Sequence, residues 1–378
     1  MGAEPARGPG GAGPGASDQH PVSPGASSVP VVSAPDGTTG LVRQRLAAQL
    51  LAGNPAATPE AAVRHLLAVQ AQDPRGFRLA VRARTAAATE EPLIVALTER
   101  RSLVVGWLNR GTLHLVAAED YRWLHRLTTP QLAVGNARRL RQEGVSLQQA
   151  ERGVAVVAEA VAEAPRTRAE LAAALEAADV PHLGQALVHV LFKAAIEGRV
   201  VRGPMVGAQH AYVALEDWLG PEPEPLDRGA ALALLARRYL AGHGPADARD
   251  LAKWAGLPLR DAAVGLAAIR DETEEVGGGL VALPAAPLAR ATPPRLLGAW
   301  DALLLGWVSR APITGEHDAA AVSGGLFRPF AIADGRAVAT WRLERNAVRL
   351  EPFVPLEPSA RQALEADADA LVRWLDRG

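Results

Sequence analysis

The chain has 378 residues, of which 48% are hydrophobic and 21% are charged, and its formal net charge at pH 7 is −1. This length favours about two or three domains. The near-neutral charge excludes a uniformly basic nucleic-acid binder, so any DNA contact must come from a local face. The absence of cysteine excludes disulfides, thiolate metal sites and cysteine nucleophiles.

No stretch approaches the roughly 18 apolar residues of a membrane span, and the N-terminus has no apolar core of a signal peptide. We therefore expect a cytoplasmic protein that does not bind a membrane. No two of the nine histidines form a pair at metal-ligand spacing beside a carboxylate, and neither a phosphate-binding GxxxxGK[ST] loop nor a GxSxG nucleophile elbow occurs. We predict no metal and no cofactor.

Residues 1–38 are dominated by Gly, Pro, Ala and Ser without a periodic apolar face, which predicts a disordered tail. The segment 39–145 combines helical periodicity with a hairpin signal around 109–111. Its predicted elements are helices at 41–51, 59–71 and 93–100 and strands at 103–108 and 112–116. Helices followed by a two-stranded wing predict a winged helix.

The same order of patterns returns twice, in 146–222 and in 223–290, where three helical segments precede two strand candidates. The last segment, 291–378, consists of short β runs, among them 300–307, and ends in an amphipathic helix. The sequence therefore predicts an α+β fold, mainly α. It has three tandem winged-helix units and a small C-terminal β-barrel with a terminal helix. Asp301 lies before an apolar run, which favours a buried, hydrogen-bonded structural acid.

Several segments, in this order, resemble those of the winged-helix proteins that include the AlkZ-like and YcaQ-like bacterial DNA glycosylases. The resemblance covers roughly residues 41–375. The segments that carry it are 67–74, 110–114, 184–187, 236–240, 300–306 and 335–341. The resemblance implies three winged helices with a C-terminal β-barrel, and a monomer. It also implies hydrolysis of the N-glycosidic bond of alkylated purines in double-stranded DNA, including bulky adducts of DNA-alkylating natural products.

The family's catalytic motif, Gln–hydrophobic–Gln, falls on Gln70, Ala71 and Gln72. An N7-alkylated purine carries positive charge and is already a good leaving group, so the protein must place a water and stabilise the sugar cation. A Gln amide is not basic, but it can position a water and hold the DNA backbone. Because residues i and i+2 do not face each other in a helix, we expect the helix to end near Ala71, before Asp73 and Pro74.

An alternative for the same residues is a solvated helix end with Pro74 as a stop signal. Asp73 has two interpretations: it stabilises the sugar cation or acts as a base, or it is a structural cap. Around the hairpin turn, Arg110 and Thr112 are candidates for DNA contact. His114 is either near the site or packed against the first unit.

Two further arginines, Arg237 and Arg238, follow an apolar helix face and either bind phosphate or are simply solvated. A bifunctional lyase would need an amine nucleophile, and the two lysines stand far from the motif in sequence. The function predicted is thus a monofunctional alkylpurine DNA glycosylase. The alternatives are a non-catalytic winged-helix DNA binder such as a transcriptional regulator, and a protein that sequesters the alkylating metabolite. No predicted recognition helix dense in Arg, Asn and Gln supports a regulator.

Overall fold

The computed structural model of the chain describes residues 36–206, 209–284 and 292–375. It is a mixed α/β structure, mainly helical, with several small antiparallel sheets. The predicted tail 1–38 lies outside the described residues, apart from its last three positions, which belong to the first helix. None of the helices in these described ranges combines the length and the apolarity needed to cross a membrane.

The segment predicted as the first unit contains more elements than the sequence patterns indicated. Its elements are α1 (Asp36–Ala48), α2 (Pro59–Leu66), β1 (Val69–Gln70), α3 (Pro74–Arg82), α4 (Glu91–Thr98), β2 (Leu103–Leu108), β3 (Thr112–Ala117), α5 (Ala118–Thr128) and α6 (Leu132–Gln142). The prediction that Pro74 follows a helix end near Ala71 is wrong. Instead α2 stops at Leu66, and Pro74 begins α3, since proline lacks the N–H that a first helical position leaves unpaired anyway.

The next two segments follow the predicted order of three helices and a hairpin. The first comprises α7 (Leu147–Glu163), α8 (Arg168–Ala177), α9 (Gln185–Ile196), β4 (Val200–Val206), β5 (Gln209–Ala214) and the short α10 (Leu215–Leu219). The second comprises α11 (Arg228–His243), α12 (Ala248–Ala255), α13 (Leu259–Ala268), β6 (Glu274–Gly277) and β7 (Leu280–Ala282). Capping boxes at Ser146 and Thr167 fix the starts of α7 and α8. Assignment of these segments to winged helices stays a prediction.

The C-terminal segment is less β-rich than predicted. Its elements are β8 (Arg295–Leu297), α14 (Ala302–Leu305), α15 (Ala311–Thr314), α16 (Asp318–Ala321), β9 (Val322–Ser323), β10 (Leu326–Phe327), β11 (Phe330–Ala333), β12 (Arg336–Glu344), β13 (Ala347–Pro352) and α17 (Pro358–Leu375). The β interpretation of 300–307 is wrong, because the Asp301 carboxylate accepts the N–H of Leu303 and starts α14. Among the described strands the order β13-β12-β11-β8 is open, so it does not confirm a barrel.

One sheet joins the first two predicted units. Its strand order is β1-β3-β2-β4-β5, and β2 meets β4 where Val105 pairs with Arg202. The domain boundaries predicted at 145/146, 222/223 and 290/291 stay predictions, but the pairing of β2 with β4 crosses the first of them. One of the two edge strands of this sheet, β1, carries Gln70, which together with Gln72 is called the Gln pair below.

The prediction that Asp301 is a buried, hydrogen-bonded acid is confirmed. Its carboxylate accepts two hydrogen bonds from the Arg84 guanidinium, at 2.9 and 2.7 Å, and both side chains are fully buried. Breaking a buried pair of this kind leaves an uncompensated charge, which is strongly destabilising. This ion pair therefore holds the C-terminal segment against the chain that follows α3.

Candidate active site

The Gln pair lies on an edge strand rather than on a helix. Gln70 pairs with His114 across β1 and β3, and the N–H of Ala71 donates to Leu113 O at 2.7 Å, which keeps the chain extended beyond β1. In an extended chain, residues i and i+2 point to the same face. Gln70 Nε2 accordingly donates to Gln72 Oε1 at 2.7 Å. The two amides therefore converge because the chain is extended at this point. The sequence predicted the same convergence from a helix that ends near Ala71.

A guanidinium sets the direction of this amide pair. Arg110 Nη2 lies 3.3 Å from Gln70 Oε1. Since a guanidinium can only donate, the Gln70 atom that faces it must be the carbonyl oxygen. Gln70 then turns its NH₂ toward Gln72, and the Gln72 atom that accepts must also be oxygen. The result is a directed chain of hydrogen bonds from Arg110 through Gln70 to Gln72.

The members of this chain differ in exposure. Arg110 is half-buried and Gln70 is 5% exposed, whereas Gln72 is exposed. The Gln72 NH₂ group and the second lone pair of its carbonyl oxygen are free of the Arg110–Gln70 chain. Gln72 is therefore the amide that can meet a water or DNA, and Gln70 fixes its orientation from behind.

Arg110 points inward, to the end of α12. Its Nη1 donates to the carbonyl oxygens of Lys253 and Trp254, both at 3.0 Å. These belong to the last turn of α12, where the helix dipole favours a cation. Burial lowers the pKa of Arg110. In this geometry the Arg110 side chain joins the Gln pair to α12. Its predicted contact with DNA stays a prediction.

His114 is neutral and buried beside the pair. It is 3% exposed, and burial, aided by the charge of Arg110, lowers its pKa from 6.5 to about 3. A neutral ring whose Nδ1 lies 2.9 Å from Thr112 O donates at that nitrogen. Thr112, half-buried at the start of β3, thus contributes its carbonyl group to the site.

Asp73 caps α3 directly after the pair. Its Oδ1 accepts the N–H of Gly76, and this bond uses only one of the two carboxylate oxygens. A Cβ added at Gly76 would lie far inside van der Waals contact with Ala299 O, so the start of α3 is pressed against the C-terminal segment. The structural cap is present, and a catalytic contribution of Asp73 stays a prediction.

The other two predicted residues are engaged elsewhere. Arg237 forms a bidentate ion pair with Glu272. Arg238 donates to both carboxylate oxygens of Asp120 and to Arg64 O. Phosphate binding by these arginines would have to compete with their present partners. Of the predicted residues, the structure thus brings together Gln70, Gln72, Asp73, Arg110, Thr112 and His114, and places Arg237 and Arg238 in ion pairs on α11.

Sequence reasoning missed the site's supports, which are the α12 carbonyls and Ala299. Backbone carbonyls carry no side-chain signal, and they come from positions more than 140 residues away from Arg110 and Gly76 in the chain. Within the described ranges, no group of three or more His, Asp or Glu residues is placed to hold a metal ion.

One exposed amide, oriented by a buried amide on a sheet edge, can position a bound molecule, and neither amide can serve as an acid or a base. A family model described as "DNA glycosylase AlkZ-like" matches residues 63–374, a span that contains the candidate residues, and this match places the chain among the DNA glycosylases. The chain belongs to the AlkZ-like DNA glycosylase family.

Among solved structures, the chain is similar to the DNA glycosylase AlkZ of Streptomyces sahachiroi. The identity is 25% and the TM-score 0.73, and the alignment covers 89% of this chain and 96% of that chain. No curated protein matches the chain.

Proposed function

We propose that the chain is a monofunctional DNA glycosylase for cationic N7-alkylated purines in double-stranded DNA, including the bulky adducts of a DNA-alkylating natural product. We propose further that it acts as a monomer built from three winged-helix units. The observation that carries the proposal is the directed chain from Arg110 to Gln70 to Gln72, which leaves one exposed, preoriented amide.

The chemistry required is modest. When the bond between C1′ and the alkylated base breaks, its electron pair goes to the base, which leaves as a neutral molecule. The sugar becomes an oxocarbenium ion. A water adds to C1′ and loses its proton to solvent, and the products are a free base and an abasic site. Such a reaction needs positioning and charge stabilisation more than a strong base.

The residues of the site divide these tasks. The free lone pair of Gln72 Oε1 accepts a hydrogen bond from the water and aims its oxygen at C1′, while the Gln72 NH₂ donates to the DNA backbone. The carboxylate of Asp73, adjacent in the chain, supplies the negative charge that an oxocarbenium ion needs. The positive charge of Arg110 is offset by the α12 carbonyls and does not oppose the sugar cation.

The proposal is tested by incubating the protein with three duplexes that contain N7-methylguanine, O6-methylguanine or unmodified guanine at one position. Released base is measured by chromatography. We expect release from the cationic N7 adduct alone, since only that base leaves as a neutral molecule without protonation. Equal release from the neutral O6 adduct would contradict the mechanism. No release from either adduct, combined with tight binding to one particular sequence, would indicate a transcriptional regulator.

A further inference from the structure

The helix α6 presents an arginine-rich face to solvent. Its arginines at 138, 139 and 141 are all exposed, and the helix contains no Asp or Glu. Its buried residues are Asn136 and Leu140. Arg138 and Arg141 are three positions apart and therefore neighbours on the opposite face. The prediction that the chain lacks a helix dense in Arg, Asn and Gln overlooked α6, whose 11 residues include Asn136, three arginines and Gln142.

Exposed arginines in this protein differ in whether they are paired. Arg126 and Arg228 form ion pairs with Glu222 and Asp261, whereas others, such as Arg361, form none with a described residue. Within the described part of the chain, none of the α6 arginines forms an ion pair, and the guanidinium of Arg139 donates to Gln142. In a protein of net charge −1, this face is a local concentration of positive charge that attracts a polyanion.

The helix starts at the candidate site. A Cβ added at Gly111 would lie 3.5 Å from a Leu132 methyl group, and Gln131 Nε2 donates to Gly256 O at 3.2 Å. Gly111 follows Arg110, and Gly256 follows the α12 carbonyls that hold Arg110. With 11 residues, α6 runs about 16 Å away from this edge.

We infer that α6 is a phosphate-binding helix, on which Arg138 and Arg141 neutralise DNA phosphates that flank the damaged base. This inference rests on the proposed function for the identity of the polyanion. It adds a binding surface that holds the duplex while Gln72 meets the sugar. Arg suits this task because its planar fork donates two parallel hydrogen bonds to one phosphate.

The test measures binding to an undamaged duplex by fluorescence anisotropy across a range of KCl concentrations. The wild type is compared with the Arg138→Gln/Arg141→Gln double variant and with a control matched in charge, Arg361→Gln/Arg373→Gln on the exposed surface of α17. The slope of log K against log salt is negative, and each lost phosphate contact lowers its magnitude by about 0.9, so we expect the magnitude to be about 1.8 smaller in the double variant. Between 50 and 200 mM salt, the wild type should therefore lose about twelvefold more affinity than the double variant.

A Lys replacement at both positions should restore the wild-type slope, since an ammonium group neutralises a phosphate equally well, and this variant also excludes misfolding as the cause. Slopes that are equal for the wild type and the Gln double variant would overturn the inference. Because the readout is binding to undamaged DNA, it is independent of base release. If the wild type releases no base and the slope still differs in the Gln double variant, the proposed function is refuted. In that case α6 remains a DNA-binding helix.

Discussion

Gln72 is the exposed end of a hydrogen-bond chain whose direction depends on one guanidinium. Arg110 donates in one plane to two α12 carbonyls and to Gln70. A Lys at position 110 keeps the charge but cannot span these acceptors as a rigid fork. We expect Arg110→Lys to lower the single-turnover rate of base release about 10- to 100-fold, because small misplacements of catalytic groups cost that much. Its affinity for DNA should be unchanged.

The control for this prediction is Arg138→Lys on α6, which should keep both the rate and the affinity. The opposite result for Arg110→Lys, a weaker affinity with an unchanged rate at saturating protein, would mean that Arg110 contacts phosphate as the sequence predicted. A combined measurement of affinity and single-turnover rate on the same duplex separates the two roles.

The position of α3 decides where Gln72 and Asp73 point. Gly76 lets the first turn of this helix lie directly against Ala299 O. We expect Gly76→Ala to lower the free energy of unfolding by about 1–3 kcal/mol, as overpacking does, and to slow base release. The matched control is Gly135→Ala in α6, where an added Cβ meets nothing within 4 Å. That change should stabilise the protein by up to about 1 kcal/mol. Urea unfolding of both variants measures the difference, and equal stabilities would contradict the packing argument.

Elements that depend on local signals were predictable, and those that depend on distant partners were not. The N-cap and proline at Thr58 and Pro59 gave the correct start of α2, and capping boxes mark α7 and α8. The strand β1 has only two residues and exists because β3 pairs with it from more than 40 residues away. The resemblance to the family therefore located the Gln pair in the sequence. Its extended conformation could not be predicted, because that conformation depends on pairing with β3.

Two fully buried histidines make the stability of the whole molecule depend on pH. Burial lowers the pKa of both His114 and His243 from 6.5 to about 3, so both rings are neutral in the folded protein. Unfolding returns them to ordinary pKa values, and below pH 6.5 the unfolded state binds more protons. Above pH 6.5 these two histidines therefore do not reduce the free energy of unfolding, and between pH 6.5 and 3 that free energy falls as the pH falls.

At pH 5 we expect each of these histidines to lower the free energy of unfolding by about 2 kcal/mol relative to its contribution at neutral pH. Urea unfolding at pH 7.5 and pH 5 measures the loss. A His243→Gln variant, although less stable at both pH values, should lose about 2 kcal/mol less on acidification than the wild type. Identical losses in the two proteins would show that His243 is not neutral in the fold.

The proposed function depends on catalysis of base release by the Gln pair. Its most direct test is single-turnover base release from a duplex with one N7-alkylguanine, with abasic sites scored by alkaline strand cleavage. The wild type is compared with Gln70→Ala, Gln72→Ala and the exposed control Gln148→Ala on α7. We predict that the wild type and the control release base, and that both motif variants are slower by orders of magnitude while they still bind DNA. Equal rates in all four proteins would show that the oriented amides of Gln70 and Gln72 have no catalytic role.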